Sequence, residues 1–217
     1  MASHEFRTPL ASILATAETL SMYRPHLTDE QVNDRLNKIR QQVMYLKAVM
    51  DDVLELARIQ AGRLGFDPIY ADLDQLCQDV TEEFDEQSEY RGRILYQSFH
   101  VPLMVRFDER LMRHMLSNLL SNALKYSPEM SPVDFRLSLV DKHVVIAVQD
   151  YGIGIPEKDL AHLGEPFHRA ENVVGISGTG LGLNITRNAV DAHGGLLVIQ
   201  SEIGVGSEFT IKIPVEE

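Results

Sequence analysis

The chain has 217 residues, 44% of them hydrophobic, and a formal net charge of −12. That length accommodates one large domain or two small ones, with enough apolar material for a core. The acidic balance, without clustered Lys or Arg, argues against a nucleic-acid or anionic-membrane surface, and the longest apolar runs, such as 144–148, fall far short of the roughly 20 residues that span a bilayer.

Phe6, Leu10, Ile13, Ala17 and Leu20 form a seam that predicts a first helix. The stretch Arg24-Pro25-His26-Leu27-Thr28-Asp29 breaks it, with Thr28 or Asp29 placed to cap the next helix. From residue 30 to about 62, Val32, Leu36, Ile39, Val43, Leu46, Met50, Val53 and Ala57 alternate steps of four and three, a heptad seam. At 1.5 Å per residue such a helix is on the order of 50 Å long. A helical hairpin alone buries one side of its seam, so two hairpins are expected to pair into a four-helix bundle, making the chain a homodimer. Gly62-Arg63-Leu64-Gly65 ends the long helix. The expected division is therefore a hairpin over 1–64 and a second domain over 65–217.

The second part has a mixed pattern. Residues from Asp72 to about Glu89 read as an amphipathic helix, Ile94–Phe99 and Leu103–Phe107 as strands, and Asp108–Tyr126 as a helix capped by Asp108. Val133–Val140 and Val144–Gln149 read as a strand pair turning at Asp141-Lys142-His143. A helix is expected from about Thr179 to His193, and Leu196–Ser201 with Glu208–Ile213 as a closing hairpin. The fold class is α+β, a sandwich with helices on one face of a mainly antiparallel sheet. No signal peptide is evident. The single cysteine, Cys77, cannot form an intrachain disulfide, which suits a reducing cytoplasm. Its ordinary reading is a small core residue.

Five motifs stand out in order. They are Ser3-His4-Glu5-Phe6-Arg7-Thr8-Pro9-Leu10, Asn118-Leu119-Leu120-Ser121-Asn122-Ala123-Leu124-Lys125-Tyr126, Asp150-Tyr151-Gly152-Ile153-Gly154-Ile155-Pro156, Glu165-Pro166-Phe167-His168-Arg169, and Gly178-Thr179-Gly180-Leu181-Gly182-Leu183. One glycine motif is weak; five in this order are specific. Together they resemble the catalytic core of a sensor histidine kinase over nearly the whole chain. The resemblance implies a dimeric phosphotransfer hairpin followed by the ATP-binding fold shared with type II topoisomerases, mismatch-repair ATPases and a heat-shock chaperone. It also implies ATP and Mg²⁺ as cofactors, autophosphorylation, and the receiver domain of a response regulator as partner. Relatives carry further helix before the histidine, so a sensor or membrane segment is expected ahead of Met1.

His4 sits one position off its helix's seam, so its imidazole is expected to face solvent, where a neutral ring nitrogen is a competent nucleophile. Glu5 can hydrogen-bond the other ring nitrogen and take up charge as the ring attacks. Pro9 removes a backbone bond to the Glu5 carbonyl and is expected to kink the helix. The resemblance makes His4 the acceptor of the γ-phosphoryl group, Glu5 the base, and Thr8 the residue that orients water when the partner is dephosphorylated.

Asn118 and Asn122 share a helix face, and Lys125 follows at a spacing suited to a phosphate. Mg²⁺ takes few protein ligands beside nucleotide phosphates; the resemblance makes Asn122 that ligand and puts Tyr126 near the nucleotide. Asp150 ends an apolar strand, where a buried carboxylate can accept from the adenine amine, while Gly152 and Gly154, with Ile155 beyond, let the base approach the backbone. Gly178, Thr179, Gly180, Leu181, Gly182 and Leu183 open a helix whose N–H groups can cradle phosphate. This is neither a Walker A loop nor a dinucleotide fingerprint. In the lid between the glycine boxes, Phe167 is a candidate anchor and Arg169 the best candidate to meet the γ-phosphate.

Two alternatives share these residues, an ATPase of the same fold and a degenerate kinase acting as an ATP-binding scaffold. ATPases of the fold carry a water-activating Glu four residues before the metal-binding Asn, where this chain has Asn118. Transfer to His4 is the favoured reading.

Overall fold

A computed structural model describes residues 2–62, 64–99, 102–173, 176 and 178–215, with side chains from Phe6 onward. The expectations for the side chains of His4 and Glu5 therefore lie outside the described residues.

The first helix, α1 (Ala2–Tyr23), runs through Pro9. A 3₁₀ turn at Arg24–His26 reverses the chain into α2 (Asp29–Gln60). Thr28 starts α2 with a capping box. Its hydroxyl accepts from the Gln31 N–H, and the Gln31 side chain accepts from the Thr28 N–H. Gly62, at φ 65°, takes the left-handed conformation that stops the helix.

The two helices pack against each other, and the heptad seam of α2 splits in two. Val32 is buried, and Ile39, Leu46 and Val53 are half-buried. The alternate members Leu36, Val43 and Met50 remain 50–53% exposed, as does neighbouring Leu54. On α1, Leu10 and Leu14 are likewise exposed, while Pro9 is buried. A second apolar stripe is thus left bare along the hairpin.

The rest of the chain is built on a five-stranded sheet. Its elements in order are β1 (Ile69–Asp72), α3 (Leu73–Asp85), β2 (Ile94–Ser98), β3 (Met104–Phe107), α4 (Glu109–Tyr126), β4 (Val133–Val140), β5 (His143–Asp150), the short α5 (Glu157–Leu160), α6 (Gly182–Ala192), β6 (Leu196–Glu202) and β7 (Gly206–Pro214). The strand order is β2-β4-β5-β7-β6, with β2 parallel to β4 and the other pairs antiparallel; β1 and β3 form a separate ribbon. Asp141 and Lys142 both have positive φ, the two-residue hairpin turn that matches strand twist.

Every second residue of β4 (Val133, Phe135, Leu137) and of β5 (Val144, Ile146, Val148) faces the helices α3, α4 and α6. From α4, Leu111, Met115, Leu116, Leu119, Leu120 and Leu124 fill the space opposite. Each such side chain contributes about 1.5–3 kcal/mol by leaving water. Cys77 belongs to this core, and burial pushes its thiol pKa up, which fits the structural reading. Two helix boundaries and one strand differ from the sequence expectation. The helix expected to reach Glu89 ends at Asp85, whose carboxylate accepts from the Gly92 N–H and closes a turn. The helix expected from Thr179 begins at Gly182. The strand β1 has no counterpart in the sequence pattern; it is held by pairing with β3 rather than by any local signal.

Candidate functional site

Four motifs converge on one cavity of about 240 Å³ at the edge of the helical layer. On α4, Asn118, Asn122, Lys125 and Tyr126 are spaced to project from one side of the helix, and all four line it. Asn118 donates to the Thr186 hydroxyl on α6 at 2.8 Å and accepts from Asn122 Nδ2 at 3.3 Å. Lys125 Nζ donates to the Tyr126 hydroxyl at 3.1 Å.

Asp150 reaches the cavity for a reason readable in its strand. It is the fourth inward position of β5 after Val144, Ile146 and Val148, so the same alternation that buries those residues buries a carboxylate at the strand's end. It is 4% exposed and lies opposite Ser207 of β7. Its Oδ1 accepts from the Gly152 N–H at 2.9 Å, and the Ser207 N–H and hydroxyl also donate to the carboxylate. Burial raises its pKa above the ordinary carboxylate value, and these donors partly offset that.

The glycines lock the motifs together. A Cβ on Gly152 would lie 2.2 Å from the Tyr126 carbonyl oxygen, and one on Gly182 would lie 2.0 Å from Asn118 Oδ1. The Asp150 turn and the start of α6 can therefore approach α4 this closely only without side chains. Gly154, Ile155, Gly178, Thr179, Gly180, Gly182 and Leu183 all border the cavity.

Gly152, Phe167 and Leu181 stand behind its wall. Leu181 packs with Ile185 and with Leu56 of α2, and Phe167 packs against that cluster. The Phe167 N–H donates to the Gly180 carbonyl, and its φ of 65° is a conformation that non-glycine residues adopt at a cost. Arg169 lines the cavity while its guanidinium donates to the carbonyls of Val173 and Ile176.

Sequence reasoning misses the contribution of α2. Tyr45, Ala48, Val49 and Asp52 form one wall. The Thr179 hydroxyl donates to Asp52 Oδ2 at 3.1 Å and accepts from the Leu181 N–H, so Asp52 is tied into the start of α6. His114 of α4 lies 3.7 Å from the other carboxylate oxygen. Burial raises the Asp52 pKa, countered in part by His114 and by Thr179. Lower on α2, buried Glu55 pairs with Arg58 at 3.1 Å and Arg110 at 2.8 Å, and Arg110 also donates to the carbonyls of Leu64 and Gly65. No signal in the sequence marks these positions, which lie off the heptad seam. Of the remaining expected residues, Thr8 is exposed on α1 and does not line this cavity.

Among the described residues no group of three or more His, Cys, Asp or Glu could hold a metal ion by itself. The pocket instead offers one amide oxygen. Asn122 spends its Nδ2 on Asn118, which leaves its Oδ1 as the acceptor of the pair. That suits Mg²⁺ carried in on nucleotide phosphates, which needs little from the protein.

Residues 107–217 match the family described as histidine kinase-, DNA gyrase B-, and HSP90-like ATPase, and residues 1–62 match the His Kinase A (phospho-acceptor) domain. Among similar proteins, the circadian input-output histidine kinase CikA of Synechococcus elongatus is 31% identical over 98% of this chain and 29% of its own length. The sensor histidine kinase RppB of Synechocystis sp. is 32% identical over 99% of this chain and 48% of its own. The chain thus spans less than half of either relative. Among solved structures, ShkA in complex with AMPPNP superposes with a TM-score of 0.70 at 30% identity, over 98% of this chain and 44% of that one. The histidine kinase AdeS of Acinetobacter baumannii, at 22% identity, shares the fold with a TM-score of 0.73 over 99% of this chain and 98% of its own.

Proposed function

The chain belongs to the histidine kinases, and from that premise we propose that it is the catalytic core of a two-component sensor. Residues 1–64 are its dimerisation and phosphotransfer hairpin, and 65–217 its ATP-binding catalytic domain. The observation that carries this reading is the cavity where the asparagine helix, the Asp150 turn and the last glycine box meet. Its residues suit ATP from end to end. Asp150 accepts from the adenine amine. Lys125 and the N-terminal N–H groups of α6 meet the phosphates. Arg169 releases its lid carbonyls to meet the γ-phosphate. Asn122 holds Mg²⁺, which when bound neutralises charge on the phosphate oxygens.

His4 attacks the γ-phosphorus through a ring nitrogen. A nitrogen–phosphorus bond forms as the bond from phosphorus to the β,γ-bridging oxygen breaks, and that electron pair leaves on ADP. Glu5 takes up the proton from the other ring nitrogen. The phosphoryl group then passes to an aspartate of a response regulator's receiver domain, and Thr8 serves the reverse task of orienting water for dephosphorylation. Hydrolysis of ATP by water is disfavoured because Asn118 offers no carboxylate base and is committed to Thr186 and Asn122. The bare stripe of Leu36, Val43, Met50 and Leu54 supports a homodimer through the hairpin. No helix among the described residues is long and apolar enough to cross a membrane.

Incubation with γ-labelled ATP and Mg²⁺ tests the reading. A label on His4 that is lost in acid and survives base is expected. An acid-stable label, or one that persists in His4→Gln, overturns it.

A further inference from the structure

The nucleotide cavity adjoins a wider cleft of about 1280 Å³. One wall of the cleft is the hairpin, at Thr8 and Pro9 of α1 and at Arg40, Gln41, Gln42, Met44 and Tyr45 of α2. The opposite wall includes Arg169, Ile176 and Gly178 of the lid and the last glycine box. Tyr45, Arg169 and Gly178 border both spaces. The phosphate end of the cavity therefore faces the chain's own histidine helix across this cleft.

The register of the hairpin aligns the two reactants. His4 lies one helical turn, about 6 Å, before Thr8 on α1. Because α2 runs antiparallel, that step leads past Tyr45 toward Ala48 and Val49, the residues that line the nucleotide cavity. His4 thus stands at the level of the cavity along the bundle axis.

The faces of α2 decide which copy's histidine this is. Tyr45, Ala48, Val49 and Asp52 turn toward the cavity. The bare stripe of Leu36, Val43, Met50 and Leu54 lies roughly half a turn away around the helix at 100° per residue. Val32, Ile39 and Leu46, the less exposed half of the seam in a hairpin whose α1 packs against α2, fall between them. A second copy covering the stripe sits on the far side of α2 from the cavity. The histidine helix beside the cavity is the chain's own.

We propose that autophosphorylation occurs within one chain, the ATP held by a protomer phosphorylating that protomer's own His4. This rests on the histidine kinase reading above. The alternative, in which each site serves the partner's histidine, requires the catalytic domain to cross the bundle and abandon the Leu56–Leu181–Ile185 cluster and the Asp52–Thr179 bond.

Dimers carrying two different affinity tags, purified through both, test this. In the first dimer, wild type is paired with the double variant His4→Gln/Asp150→Asn. Because the two sites of a symmetric dimer are equivalent, transfer within a chain is expected to leave about half the labelling of the wild-type homodimer; transfer between chains leaves none. In the second, His4→Gln is paired with Asp150→Asn. Here, at an ATP concentration too low to fill the weakened Asp150→Asn site, transfer within a chain gives no label, whereas label on the Asp150→Asn protomer above that of the Asp150→Asn homodimer overturns the proposal. The wild-type homodimer separates the two questions, since its failure to label on histidine would sink the kinase reading itself.

Discussion

Replacing Asp150 by Asn tests the nucleotide pocket at its most constrained point. The side chain is 4% exposed, accepts from the Gly152 N–H, and is also bonded by both donors of Ser207. Asn has nearly the same shape and keeps an oxygen for Gly152, so the turn is retained. It loses the charge and presents an NH₂ where an acceptor is needed. A hydrogen bond to a charged acceptor contributes about 1.5–3 kcal/mol, so affinity for ATP is expected to fall about ten- to a hundredfold. The apo fold is affected less, because relief of a desolvated carboxylate opposes the loss of an acceptor for Ser207. Titration with a fluorescent ATP analogue, beside a thermal melt without nucleotide, separates the two effects. There is also a pH signature. With its pKa raised by burial, the carboxyl begins to neutralise at a higher pH than an ordinary aspartate, so wild-type affinity falls on acidification while that of the variant does not follow. Unchanged affinity together with an unchanged melt would refute the reasoning and place recognition of the base elsewhere.

Three further outcomes are expected. Gly182→Ala puts a methyl 2.0 Å from Asn118 Oδ1 and displaces the asparagine from Thr186; it is expected to cost about 1–3 kcal/mol of stability, visible in a melt, and to weaken nucleotide binding. Leu56→Ala removes the α2 member of the Leu181–Ile185 cluster and is expected to weaken docking of the catalytic domain on the hairpin by about 2–4 kcal/mol. Faster amide exchange across 181–185, with the sheet unaffected, checks it. His193 donates from Nδ1 to the Ala189 carbonyl and accepts the Asp108 N–H at Nε2, and burial holds its pKa below the usual 6.5. The unfolded chain then binds the extra proton first, so this contribution to stability is full above about pH 6.5 and is lost as pH falls below it. Denaturant titrations at pH 7.5 and 5.5 should show that drop, and His193→Gln should flatten it.

Helix periodicity and end chemistry are properties of neighbouring residues, so the alternation of fours and threes suffices to locate α2, and Thr28 to cap it. Strand alternation likewise places β4 and β5 and leaves Asp150 in phase with the core, so its burial is legible in the sequence alone. Tertiary packing decides the rest. Thr179 does not begin α6, because its hydroxyl bonds the Leu181 N–H and Asp52, 127 positions away in sequence. Asp52, Tyr45 and Val49 lie off the seam and give no periodic signal of their own; they become a wall of the cavity because the catalytic domain docks there. Glu55 looks like an ordinary surface charge and is buried because Arg110 reaches it from α4. Contacts between residues this far apart depend on how the two halves of the chain meet, and that is fixed by packing between surfaces, which no local sequence pattern encodes.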